Sequence, residues 1–383
     1  MHPFSLLIKP ASGDCNLRCA YCFYLGKGAL FGKGAHRMST ATLEAVTRAF
    51  FACPMDTYTF AWQGGEPALM GLAFYREAVR LQKKLLPAGA RCANAFQTNG
   101  TLLDDEWARF FKDENFLVGV SIDGPQRLHD ARRRDIAGAG SHARVMRGLE
   151  CLQRHGVEHN ALTLVSASNA DHPQEVYQYI RGLGVAYHQY IECVELNAEG
   201  RPRPYALRPG QWGDFLCAVF DAWFARDTRA VSVRHFDSVL SRLATGVPAT
   251  CPMSGNCCNY FVVETNGDVF PCDFFVEPRH VLGNIARDPL GALAASDAYQ
   301  NFGRGKDPCS ATCSACRFLP LCMGDCPKNR ASAGSFLCAD WQRFYGHTIG
   351  RFEQLAASLA NHAGVSFPRP NRPVNCKLNE PGV

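Results

Sequence analysis

The sequence predicts an α/β protein in which six βα units precede a smaller, cysteine-rich C-terminal unit. Two patterns predict it. Short apolar runs alternate with helical-period stretches over the first two-thirds of the chain, as parallel βα units require. Ten of the 19 cysteines then crowd between Cys251 and Cys338, in short irregular loops that supply little core of their own. Six units can form an open sheet or a partial barrel, and in either case ligands gather at the carboxyl ends of the strands.

The elements follow in order. SLLIKP (5–10) is the first strand, and a loop with three cysteines follows it. A helix near 40–53 starts at Ser39 or Thr40, either of which suits an N-cap. YTFAW (58–62), CANAFQ (92–97), FLVGVS (116–121), HNALTLV (159–165) and YHQYIEC (187–193) are the next strands. Helical patterns near 71–86, 104–113, 141–155 and 173–183 separate them, and Pro173 suits a first helical turn. A further helix covers about 209–225. YFVVETNGDVFPCDFF (260–275) reads as a hairpin around Asn266-Gly267. Residues 363–383 carry four prolines and little apolar content, so a disordered tail is expected there. The boundaries expected are therefore 1–230, 231–362 and 363–383.

Composition excludes several classes. The net charge is +5 with no Lys/Arg block, which gives nucleic-acid binding little support. No apolar run reaches a membrane span, and MHPFSLLIKP lacks the form of a signal peptide. A cytoplasmic protein is expected. In that reducing setting clustered cysteines read as metal ligands or catalytic groups rather than disulfides. The solitary Cys53, Cys92, Cys151, Cys193 and Cys217 read as small buried hydrophobes, and Cys376 as a spare thiol.

Cys15, Cys19 and Cys22 form C-x3-C-x2-C. Three thiolates can hold three irons of a four-iron, four-sulfur cluster and leave the fourth open to a ligand. A zinc site with its fourth ligand elsewhere, or three unremarkable cysteines, are the other readings. The motif, with Tyr21 before its last cysteine, resembles the radical S-adenosylmethionine (radical SAM) enzymes. That resemblance implies a partial (βα)6 TIM-type barrel. It also implies that the open iron binds SAM, whose cleavage gives a hydrogen-abstracting 5′-deoxyadenosyl radical. QGGEP (63–67) is similar to the family's glycine motif, which contacts the SAM amino group. By motif position, Tyr21, Gly65, Ser121, Arg133 and Val194 are the cofactor-binding residues implied, with Arg132 and Arg134 close rivals of Arg133.

Cys313, Cys316, Cys322 and Cys326 form C-x2-C-x5-C-x3-C, and Gly267 and Cys272 form G-x4-C. In isolation this block reads equally well as zinc. Beside the first motif it resembles the SPASM extension, which carries two auxiliary 4Fe-4S clusters. The family pattern implies Cys251, Cys257, Cys272 and Cys326 for one, and Cys313, Cys316, Cys322 and Cys338 for the other. Cys258 could exchange with Cys257, and Cys309 is left over.

LLIKPASGDCNLRCAYCFY, FAWQGGEPALMGL, QTNGTLL, VGVSIDGP and VVETNGDVFPCDFFV together look like the anaerobic sulfatase-maturating enzymes, over about residues 4–350. The resemblance implies oxidation of a cysteine or serine in a sulfatase polypeptide to formylglycine. Asp273, directly after Cys272, is then the proton acceptor, and Tyr24, Gln63 and Gln97 line the peptide site. A flavodoxin- or ferredoxin-like donor would supply electrons. Another SPASM peptide modifier is the nearest alternative, but only fourteen residues precede Cys15, so no leader-binding domain is expected there. A zinc-stabilised, non-catalytic binding protein is the alternative from a different class.

Overall fold

The computed structural model describes residues 3–306, 310–331 and 334–363. The tail expected at 363–383 lies outside the described residues except for Ala363, which ends a helix; Cys309 and Cys376 lie outside them too. Six strands, β1 (Ser5–Ile8), β2 (Thr57–Trp62), β3 (Arg91–Thr98), β4 (Leu117–Ser121), β5 (His159–Val165) and β6 (Tyr187–Glu192), pair in parallel and in chain order. Each matches its expected strand to within two residues. Helices Thr40–Phe51, Leu72–Leu85, Asp105–Asp113, His142–Arg154 and Pro173–Gly182 connect them. Ser39 caps the first of these by accepting the Thr42 N–H at 3.0 Å.

The sheet continues past this array at both ends. β7 (Ser232–Val233) pairs with β6, just beyond the expected boundary at 230. β8 (Tyr260–Val263) pairs in parallel with β1, and β9 (Asp268–Phe270) and β10 (Gly283–Asn284) follow antiparallel. The order β10-β9-β8-β1-β2-β3-β4-β5-β6-β7 leaves two edges, so the barrel is open. The expected hairpin is thus the element that attaches the cysteine-rich unit to the first strand. Its turn places Gly267 at φ +86°, where the Gly267 N–H bonds the Glu264 carbonyl.

The two sides of the sheet differ in what they bury. Leu6, Ile8, Phe60, Trp62, Phe96 and Val118 pack into one large core with the helices. The alternate positions include Ala61, Ala95, Gly119 and Ser121. Small residues thus occur on the opposite side of the sheet, and Leu162 packs over Gly119.

One large element differs from the sequence reading. Cys338–Ala363 is a helix of 26 residues. Trp341, Phe344, Tyr345, Thr348, Phe352 and Ala356 are buried at helical spacing along it. It packs on helices Gln211–Arg226 and Arg234–Thr245, with the Phe352 and Phe220 rings 4.7 Å apart. Asp340, in its first turn, accepts the Gly213 N–H at 2.8 Å and so caps the neighbouring helix. This helix therefore joins the cysteine-rich unit to the same large core as the strands. Among the described residues no helix is long and apolar enough to cross a membrane.

Phe352 is fully buried among Phe220, Trp223, Phe236 and Phe344. Phe352→Ala should cost about 3–5 kcal/mol in urea unfolding. A loss below about 1 kcal/mol would mean that this helix does not anchor the C-terminal unit.

Candidate active site

The three-cysteine loop leaves β1 and is strapped down by backbone. Arg18 N–H bonds the Arg134 carbonyl at 2.7 Å, and Ala20 N–H bonds the Arg132 carbonyl at 3.0 Å. This strap explains why one arginine of DARRRD turns inward. Arg133 is buried and donates to the Tyr21 hydroxyl at 3.0 Å, while Tyr21 in turn donates to Asp123. Arg132 instead reaches Ser168, and Arg134 is exposed. The Nε of Arg133 is buried with no protein partner, a donor left over for an anionic ligand.

Cys15, Cys19 and Cys22 gather beside Leu17, Tyr21 and Cys193. Burial pushes the Cys15 thiol up to about 12 and Cys22 up to about 11, and neighbouring sulfurs add to both. Leu17 N–H and Asn99 Nδ2 both point at the Cys15 sulfur, at 3.3 and 3.6 Å. A sulfur with two donors and crowded thiol neighbours suits a cation-bound thiolate.

The glycine motif docks on this loop through backbone. Gly65 N–H bonds the Ser12 carbonyl and Glu66 N–H the Asp14 carbonyl, both at 2.7 Å. A Cβ at Gly65 would sit 2.0 Å from the Asp14 carbonyl oxygen, and one at Gly64 2.6 Å from that of Ser12. The approach itself thus demands glycine. Glu66, which the sequence reading passed over, then locks the next loop. Its buried carboxylate accepts from Ala68 N–H, Thr98 Oγ1 and Asn99 N–H at 2.9, 2.8 and 2.7 Å. Ser121 ends β4 half-buried. Val194 is buried just beyond β6, where its carbonyl accepts Lys328.

Asp273 is the point where these loops meet the C-terminal unit. It is 7% exposed. Lys9 Nζ lies 2.5 Å from Oδ1, Tyr24 donates to Oδ2 at 2.5 Å, and Gln63 Nε2 donates to Oδ2 at 3.0 Å. Lys27 donates to the Asp273 carbonyl at 3.0 Å, and Phe23 packs on Phe274 with centroids 5.1 Å apart. Tyr24 and Gln63 therefore do converge on Asp273, whereas Gln97 is an exposed residue near the end of β3. Lys9 was not singled out from sequence. It is fully buried, 3.6 Å from Glu264 and 4.5 Å from the Tyr24 ring centroid.

The later cysteines form two groups. Cys251 and Cys257 interact with one another, which lowers Cys251 and raises Cys257. Tyr260 lies 3.2 Å from the Cys272 sulfur, and Cys272 and Cys326 feel one another's charge. Cys258 turns away and donates to the Tyr299 carbonyl at 3.3 Å. Cys313, Cys316, Cys322 and Cys338 line one separate cavity.

Comparison with known proteins follows this geometry. Residues 10–180 match the radical SAM superfamily, and 255–317 match an iron-sulfur cluster-binding domain, SPASM. The chain is 37% identical to the serine-type anaerobic sulfatase-maturating enzyme of Bacteroides thetaiotaomicron, over 94% of this chain and 92% of that protein. The chain belongs to the anaerobic sulfatase-maturating enzymes. The cysteine-type enzyme of Clostridium novyi is 35% identical, over 94% of this maturase and 99% of that protein. Among solved structures, native anSMEcpe with bound AdoMet and Cp18Cys peptide superposes with a TM-score of 0.87 at 34% identity, covering 93% of this maturase and 99% of that chain.

Loop docking in the maturase is open to a direct test. Gly65→Ala should destabilise it by about 1–3 kcal/mol in urea unfolding, because the new methyl must displace the Asp14 backbone. Gly26→Ala, where a Cβ meets nothing within 4 Å, is the control and should be near neutral. Equal stability of the two variants would refute the tight docking.

Proposed function

We propose that this maturase oxidises a cysteine or serine side chain of a sulfatase polypeptide to Cα-formylglycine, with Asp273 as the proton acceptor. Cys15, Cys19 and Cys22 would hold the first 4Fe-4S cluster and leave one iron for SAM. The unpartnered Arg133 Nε suits the SAM carboxylate, and Tyr21, Gly65, Ser121 and Val194 complete the cofactor site. Cys251, Cys257, Cys272 and Cys326 would hold one auxiliary cluster, and Cys313, Cys316, Cys322 and Cys338 the other. When bound, the first cluster and SAM supply the radical that takes a hydrogen atom from the target Cβ.

The chain's own groups handle the rest of the two-electron oxidation. The target must also lose its thiol or hydroxyl proton and one electron. A serine then becomes the aldehyde directly, and a cysteine becomes a thioaldehyde that water converts to the aldehyde and hydrogen sulfide. Asp273 is suited to take the proton because three side chains from two other loops hold both its oxygens. Lys9 pairs with Oδ1, while Tyr24 and Gln63 share Oδ2. That convergence is the observation that carries the assignment. Radical chemistry falls to residues 1–230 and electron handling to 231–362, with a flavodoxin- or ferredoxin-like donor in the cytoplasm.

Asp273→Asn should keep SAM cleavage to 5′-deoxyadenosine while formylglycine formation falls by about 10²–10⁴-fold, read by mass spectrometry of a sulfatase-motif peptide. Undiminished aldehyde would remove Asp273 from the role. Anaerobic iron analysis should find about twelve irons per chain, four in each of three clusters. A colourless protein with one or two zincs would sink the cluster reading altogether.

A further inference from the structure

The two later cysteine groups sit in unlike electrostatic surroundings. Beside Cys251, Cys257, Cys272 and Cys326 lies Lys306, which is 1% exposed. Its ammonium donates to the carbonyls of Pro252 at 2.8 Å, Asp325 at 3.2 Å and Cys251 at 3.3 Å. These are neutral acceptors. No carboxylate within 4.0 Å pairs with Lys306 among the described residues. A buried charge held only by dipoles calls for a counter-charge close by. Four thiolates around an iron-sulfur cluster provide one.

Two side chains also address the sulfurs of this group. The Tyr260 hydroxyl lies 3.2 Å from Cys272 Sγ, and Asn259 Nδ2 lies 3.8 Å from Cys251 Sγ. Once Cys272 binds iron it has no proton, so Tyr260 must be the donor. Around Cys313, Cys316, Cys322 and Cys338 the one side-chain donor to sulfur among the described residues is Gln342, 3.6 Å from Cys338. Of the acidic groups near the inner cysteines, Asp273 acts on Cys272 but is paired with Lys9, Glu192 acts on Cys326 but faces Lys328, and Asp325 does not distinguish the groups. Its charge bears on Cys326 as well as on Cys322 and Cys338.

Reduction adds one negative charge to a cluster. Nearby cations and donors to sulfur favour that added charge and raise the potential, whereas burial lowers it. Cys257 is buried whereas the other cysteines of both groups are partly buried, so burial alone would make the group beside Asp273 the harder to reduce. Resting on the function proposed above, we propose that Lys306, Tyr260 and Asn259 reverse this order. They make the Cys251/Cys257/Cys272/Cys326 site the higher-potential auxiliary cluster and hence the site that takes the substrate's electron. The balance then closes locally. Besides the hydrogen atom that bound SAM chemistry would take from Cβ, Asp273 would accept the proton, and a cluster held by Cys251, Cys257, Cys272 and Cys326 would supply the oxidant for the remaining electron.

The test is a redox titration followed by electron paramagnetic resonance, on full-length protein with Cys15, Cys19 and Cys22 changed to Ala. Two auxiliary signals remain, and Cys272→Ala identifies the inner one. Lys306→Met should lower the inner midpoint by about 59 mV or more, a tenfold fall in the reduced-to-oxidised ratio, and leave the outer midpoint in place. Tyr260→Phe should lower the same midpoint by less, and Lys306→Arg should retain it. If Lys306→Met fails to load iron, Tyr260→Phe alone decides. An inner midpoint that is already the lower of the two, or that neither change moves, overturns the proposal. Fewer than about eight irons per chain in the parent variant would instead overturn the cluster reading on which it rests.

Discussion

The buried ion pair between Lys9 and Asp273 is the constraint on which the site depends. Lys9 ends the first strand, and Asp273 lies far along the chain, one residue past a cysteine of the second block. A lysine that is fully buried must find an anion or lose its charge. It finds two, Asp273 and Glu264, and both come from the hairpin that extends the sheet. The parallel pairing of β8 with β1, continued by the Lys9 N–H to Val263 carbonyl bond at 2.9 Å, puts them within reach. Sheet register and active-site geometry are therefore one fact. Moving the hairpin by one residue would take both carboxylates off Lys9 and leave a buried charge unpaired.

The same junction joins two cysteine groups that the chain keeps far apart. Phe23 and Tyr24 follow Cys22, while Asp273 and Phe274 follow Cys272. Phe23 meets Phe274 and Tyr24 meets Asp273, so the two segments zip residue against residue. Each cysteine set is thereby fixed relative to the other by neighbouring side chains, with no long lever between them. Electron and proton acceptors that must act within one turnover gain from such rigidity, because orientation is settled before the substrate arrives.

Much of this was legible in the chain, for identifiable reasons. The six strands were found because each runs four to eight residues with β-branched or aromatic residues and lies between clear helical patterns. Cysteine spacing marked the three groups because ligand spacing is set locally. What escaped was long-range. Lys9 reads as the polar end of a strand, although it follows the Ser5 and Leu7 phase, the side opposite the buried Leu6 and Ile8. No pattern in sequence says that this side receives a carboxylate from a distant hairpin. Arg133 could not be told from Arg132 and Arg134 because the strap that turns it inward is made of backbone. The helix Cys338–Ala363 was missed for another reason. Its face of Trp341, Phe344, Tyr345, Phe352 and Ala356 has the right period, but the cysteine at its start drew it into the irregular block.

That helix bears on how the C-terminal unit is held together. Cys338 stands at its first residue, and Asp340 caps the helix that begins at Gln211. One cysteine of the outer group is thus tied to a hydrophobic core, while Cys313 and Cys316 rest in short turns. Burial, with the charge of Asp325 and the neighbouring sulfurs, raises Cys322 to about 11, so that thiol is protonated while the site is empty. On the ligand set proposed above, a bound cluster would remove that proton and close the loops in one step, coupling loading to folding. The inner group is attached differently. Its Cys272 is carried by the hairpin of the continuous sheet, and its surroundings include a lysine already buried. The fold therefore anchors Cys272 to the continuous sheet, one residue before Asp273, and anchors Cys338 to the long C-terminal helix.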